Sequence, residues 1–299
     1  MDFRTDLALE LQEDLGAQLP QGLACESETL GEVKITRMEI NSEAAAQRLG
    51  KPCGRYITVE LPPFGEAAQL LGERLDVLVA EIRALLPPQG DILVVGLGND
   101  GITPDALGPR CADMLLATRH IRQELAADMG LGALRVVSGI APGVLGRTGI
   151  ETGEIIAGIV RSIAPAAVVT VDALAARRLA RMGCTVQLAD SGIVPGSGVG
   201  NARLAINRET LGVPVVSIGV PTVVDALTLT MDVLAARDAS FADSDALRDF
   251  LGEDSARMMV TPRDIDLVVE RAARLIAMAL NCALQPHIPP EDLLALVTE

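Results

Sequence analysis

Four short apolar runs mark the middle of the chain: DILVV at 91–95, LRVVS at 134–138, AAVVTV at 166–171 and PVVSIGV at 214–220. Each is dense in β-branched residues and ends at or beside Gly, Pro or Asp, the pattern of a strand buried on both faces. The stretches around 108–130, 151–163, 174–182 and 223–236 read as helices. Strands alternating with helices predict a three-layer α/β/α sandwich with a mostly parallel central sheet. TVQLA at 185–189 predicts a further strand near an edge, and residues 31–61, which alternate apolar and polar, predict a small N-terminal β-rich appendage. Within 66–86, Leu71, Leu75, Leu78, Ile82 and Leu85 recur at steps of three and four until Pro87-Pro88 stops the helix. We expect one domain over 1–299, with a core at 90–237, an acidic connector at 238–257 and a C-terminal helix at 258–285.

Composition narrows the picture. Hydrophobic residues make up 49% but aromatics only 2%, so the core is built from Val, Leu, Ile and Ala. A net charge of −15 repels phosphate backbones, which argues against direct nucleic-acid or anionic-membrane binding. The five cysteines are dispersed, as expected of reduced thiols in a cytosol. The first residues carry acids where a secretory signal needs bases and an apolar run, and no apolar stretch is long enough to span a bilayer. A soluble intracellular protein is expected.

The candidate chemistry begins at VGLGNDGITPDALGP, residues 95–109. Gly96, Gly98 and Gly101 fit G-x-G-x-x-G after a strand, but Asp100 and Asp105 put negative charge where a phosphate would lie. Thr103 and Pro104 look like a helix start instead, with Thr103 as cap and Asp105 in the first turn, at the carboxyl end of a parallel strand. VVTVDALAAR, residues 168–177, delivers Asp172 after a second such strand. If the two strands are neighbours, Asp105 and Asp172 converge, and one keeps its proton so that the pair works as acid and base. The same pair could hold a divalent metal if Asp190 or Asp100 supplied a further ligand. Two glycine-rich loops, 139–155 and 189–203, offer Asp190 and Ser197 to a substrate, and Asn99 supports the first turn. Only His120 and His287 are present, which disfavours Ser–His and Cys–His nucleophiles and multi-histidine metal sites.

Together these motifs, with APGVLGRTGIETGEII, DSGIVPGSGVGNAR, ETLGVPVVSIGVPTVVDALT and MMVTPRDID, resemble the spore germination proteases, whose substrates are the small acid-soluble proteins coating spore DNA. The resemblance implies a fold related to hydrogenase-maturation proteases, a homotetramer and a place in the forespore or spore core. Its two essential aspartates fall on Asp105 and Asp172. It also implies a zymogen cut after an acid that precedes an apolar residue and Ala, which in FRTDLALE puts the cut between Asp6 and Leu7. Val194 stands where many relatives have histidine. A metal-dependent processing peptidase of the hydrogenase-maturation type and a peptide-binding module that does not cut are the alternative readings.

Overall fold

The computed structural model describes residues 4–15, 19–66, 70–121, 133–196, 203–235 and 258–298. The acidic connector expected at 238–257 and Ser197 lie outside them. Strands β1 (Leu23–Leu30), β2 (Val33–Ile40) and β3 (Gly54–Glu60) form an antiparallel meander. The four apolar runs supply β4 (Ile92–Gly96), β5 (Val137–Ile140), β6 (Ala167–Ala176) and β8 (Val215–Asp225), and TVQLA becomes β7 (Thr185–Ala189). With the two-residue β9 (Met259–Val260), they make one nine-stranded sheet in the order β1-β2-β3-β7-β8-β6-β4-β5, β9 lying against β8.

The sheet is mixed, which corrects the expectation of a mostly parallel one. Only β4–β5, β4–β6 and β6–β8 pair in parallel. The remaining ladders are antiparallel. Residues 177–184, the whole link between β6 and β7, are too few for the crossover that a parallel partner needs, so β7 reverses direction. Nor is the β-rich N-terminal segment separate: β3 pairs with β7, Tyr56 opposite Ala189, and extends the same sheet.

The helices are α1 (Ala8–Asp14), α2 (Glu43–Leu49), α3 (Glu73–Leu85), α4 (Leu107–Asp113), α5 (Leu145–Thr148), α6 (Thr152–Ile163), α7 (Arg208–Leu211), α8 (Ala226–Ala235), α9 (Ile265–Leu284) and α10 (Pro290–Thr298). Ile92, Val94, Val169 and Val171 pack with α3, α4 and α9 on one face of the sheet. Leu93, Val95 and Val168 pack with Ile156 and Val160 of α6 on the other. This period-two division of two apolar strands makes the three layers. It also sends Asp172, next after Val171, to the α6 face.

The helix expected at 174–182 is absent. β6 continues to Ala176, with a register shift against β8 between Leu174 and Ala175, and only a short turn at Leu179–Arg181 follows. The Ala-rich sequence favours helix locally, but residues 174–176 pair with β8, Ala175 opposite Val223 and Ala176 opposite Val224, and that pairing decides. Among the described residues no helix is long and apolar enough to cross a membrane.

Candidate active site

Asp105 is presented by a turn built around close approach. Beyond β4 the chain reverses through Gly98 at φ +113°, where a side chain would also strike the carbonyl of Asp105. The Asn99 N–H then donates both to Asp105 Oδ2, at 2.8 Å, and to the Asp105 carbonyl, at 3.1 Å. Thr103–Asp105 form a single 3₁₀ turn with no side-chain cap, and α4 begins beyond it at Leu107. Asp105 therefore precedes the helix, where the sequence suggested its first turn. Gly108 seats that helix on the sheet: a Cβ there would overlap the carbonyl oxygens of Leu97 and Val171. The glycines of this loop bring backbone against backbone and hold a carboxylate in place.

Asp172 reaches the same cavity from within β6. It is buried, and Oδ1 accepts the Ala173 N–H at 2.9 Å. Burial raises its pKa well above the usual carboxylate range, and the negative charges of Asp105 and Asp6 raise it further. Burial also raises Asp105, against which the Asn99 N–H favours its ionised form. Burial acts more strongly on Asp172, so of the two its neutral form is the more favoured. The cavity, about 450 Å³, is lined by Asp6, Asp105, Asp172, Val194 and Thr222 among others. The Thr222 hydroxyl is buried and has no hydrogen-bond partner among the described residues.

The N-terminal segment enters this cavity. The Asp6 N–H donates to the Ala175 carbonyl and the Ala175 N–H to Asp6 Oδ2, both at 2.9 Å. Lys51 Nζ, at 2.9 Å, and Gln187 Nε2, at 3.0 Å, donate to the Asp6 carbonyl oxygen. Leu7, fully buried, packs with Leu174 and Ala176. Ala8 and Glu10 are buried too, and Glu10 accepts the N–H groups of Arg177, at 2.7 Å, and Arg178, at 3.0 Å. Full burial of an acid is tolerated because it is hydrogen-bonded and faces Arg181 at 3.4 Å.

The structure thus brings Asp105, Asp172, Asp6 and Leu7 together, with Asn99 supporting through its backbone. Asp190 is held elsewhere, accepting from the N–H and Nε of Arg55, both at 2.7 Å. Asp100 is paired with Arg147. Both candidates for a further metal ligand are therefore engaged by arginines, and among the described residues no group of three or more His, Cys, Asp or Glu side chains is placed to hold a metal ion. Among the described residues the donor set around Asp105 and Asp172 does not fit a resident metal. Sequence reasoning missed Lys51 and Gln187, which lie outside the motifs, and gave no role to Ala175 and Thr222, which lie inside two of them.

Comparison with known proteins gives a consistent result. The sequence profile of the germination protease family matches residues 5–237. A germination protease of Caldanaerobacter subterraneus subsp. tengcongensis is 40% identical over 98% of this chain and 97% of its own. One from Clostridium perfringens is 40% identical over 98% of each chain, and one from Priestia megaterium 36% identical over 97% of this chain and 95% of its own. Among solved structures, a [NiFe] hydrogenase maturation protease from Thermococcus kodakarensis covers 67% of this chain and 98% of its own at 20% identity. Its TM-score of 0.36 is too low to bear on the argument.

Proposed function

The chain belongs to the germination protease family, and from that premise we propose that it is a self-processing endopeptidase that cuts after acidic residues. Asp105 and Asp172 activate water, the Asp6–Leu7 bond of the chain itself is cut first, and the small acid-soluble spore proteins are cut afterwards. The observation that carries the reading is that Asp6 lines the same cavity as Asp105 and Asp172, its charge felt by Asp172.

In this reading the ionised Asp105 takes a proton from water as the water oxygen bonds to the Asp6 carbonyl carbon. The carbonyl π electrons move onto oxygen. When the tetrahedral intermediate collapses, the C–N bond breaks and the Leu7 nitrogen takes the proton of Asp172. The pair still holds one proton, now on Asp105, and it returns to Asp172 before the next turnover. The new carboxyl group of Asp6 gives its proton to solvent. Activity then requires a pH above the pKa of Asp105 and below that of Asp172, so the profile is a bell. The homotetramer and forespore location implied by the family resemblance belong to the same proposal.

The test offers an acid-soluble spore protein to the purified chain and identifies the new termini by mass spectrometry. Cuts following Asp or Glu and preceding an apolar residue are expected. No cut, or cuts without regard to acids, would overturn the reading.

A further inference from the structure

We infer that Lys51 and Gln187 form the oxyanion clamp of this peptidase, receiving the carbonyl oxygen of the acidic residue at the bond to be cut. The inference rests on the proposed function and adds to it the residues opposite the aspartate pair.

Register supplies the first argument. Asp172 of β6 lies opposite Gly219 of β8, and Gly219 lies opposite Gln187 of β7. Residues in one row across a sheet project to the same side, so Asp172 and Gln187 share the α6 face. At roughly 4.8 Å per strand, their Cα atoms stand about 10 Å apart, a gap that takes one peptide group and two polar side-chain ends. The residue between them is glycine, and a Cβ there would overlap Leu174. Leu174 can therefore lie across the row, where it forms part of the seat for Leu7.

The contacts supply the second. Gln187 spans the bond: Nε2 donates to the Asp6 carbonyl at 3.0 Å while Oε1 accepts the Ala8 N–H at 2.7 Å. One side chain thereby fixes the register of the peptide on both sides of Asp6–Leu7. It is nearly fully buried, as are the other residues of β7. Lys51 follows Gly50, the left-handed residue that ends α2, and its N–H closes back onto the Ala46 carbonyl at 3.1 Å. That closure fixes the backbone from which Nζ reaches Asp6 O at 2.9 Å. Burial lowers the Lys51 pKa, an effect that the charge of Asp6 only partly offsets.

A carbonyl oxygen that must become an oxyanion thus meets one cationic and one neutral donor. Gln187 is buried and Lys51 half-buried, and both are held in place before reaction, the arrangement that stabilises charge as it develops. Since the scissile carbonyl turns toward β7, the acids of β6 and the loop after β4 are left to handle water and the leaving nitrogen. A spore protein bound in place of residues 4–10 would offer the carbonyl of its own acidic residue to the same two donors.

The test follows self-cleavage of the full chain at Asp6–Leu7 as a first-order loss of residues 1–6 by intact-mass measurement, with circular dichroism to confirm folding. K51M and Q187L are each expected to slow it on the order of 10²–10³-fold, the effect of removing one oxyanion donor. K51R, which keeps a cationic donor, should recover part of the loss. In a D172N chain that cannot cut, carrying ¹³C at the Asp carbonyl carbons and ¹⁵N at Leu, the Asp6 carbonyl signal should move when either donor is removed. Cleavage by K51M and Q187L at wild-type rates, or an unmoved carbonyl signal, would overturn the clamp while leaving the aspartate pair in place. A wild-type chain that never loses residues 1–6 would overturn the proposed function itself, and the clamp with it.

Discussion

The two halves of the sheet contribute differently to the site between them. The parallel half, β5-β4-β6-β8, carries both acids: Asp172 within β6 and Asp105 in the turn after β4. The antiparallel half, β7-β3-β2-β1, carries the donors, Gln187 in β7 and Lys51 just ahead of β3. In the proposed reading, the carboxyl groups and the hydrogen-bond donors therefore flank the Asp6–Leu7 bond from opposite sides of the β8 seam. The parallel half raises the pKa values of the two carboxyl groups by burying them. The antiparallel half builds the receptor for the bond by aligning polar side chains in register.

The largest expected effect breaks the parallel half. D105N and D172N should each lower cleavage of a peptide containing residues 1–14 by about 10²–10⁴-fold, the range for losing a general base or acid, measured as kcat/KM. Next is the packing that places Asp105. G108V puts branched carbon against the carbonyls of Leu97 and Val171, and should cost roughly 1–3 kcal/mol in urea unfolding and reduce cleavage by displacing α4.

A smaller effect sharpens the electrostatic side of the comparison. The folded-state pKa of Asp172 lies above its unfolded value, so its favourable contribution to stability is complete at acid pH, below the unfolded pKa. It is lost as pH rises through the folded pKa, at about 1.4 kcal/mol for every tenfold difference in proton affinity between the folded and unfolded chain. D172N, whose amide oxygen still accepts the Ala173 N–H, should therefore melt higher than wild type at neutral pH. That advantage should vanish as pH falls. Differential scanning calorimetry across pH checks both statements, and an advantage independent of pH would contradict the assignment of the proton to Asp172.

The smallest effect belongs to Asp190. Its partner Arg55 is exposed, so D190A should cost about 1 kcal/mol or less in thermal unfolding and change cleavage less than tenfold. Exhaustive chelation should leave cleavage unchanged, because among the described residues the donor set around Asp105 and Asp172 does not fit a resident metal.

How much of this was legible in the sequence follows the same division. The strands of the parallel half are buried on both faces and so read as apolar runs, and an aspartate directly after such a run stands out. Asp172 follows such a run directly and Asp105 lies in the turn after another, so the two could be paired on condition that their strands were neighbours. The strand order that brings β7 beside β8 and β3 beside β7 depends on pairing between distant segments, with Thr58 opposite Gln187, and leaves no local signature. Lys51 and Gln187 were invisible for that reason. Asp6 was visible only through the resemblance of FRTDLALE to a processing site, since burial of Leu7, Ala8 and Glu10 reads locally as an ordinary amphipathic helix. The helix expected at 174–182 failed for the same cause, local propensity yielding to neighbours that the sequence does not name.

The most direct test of the central claim is the mass of the wild-type, D105N and D172N chains after incubation at mildly acidic pH. Loss of residues 1–6 is expected from wild type alone, leaving Leu7 as the new N-terminus. Loss of the same residues from D172N or D105N at the wild-type rate would show that the aspartate pair does not make the cut.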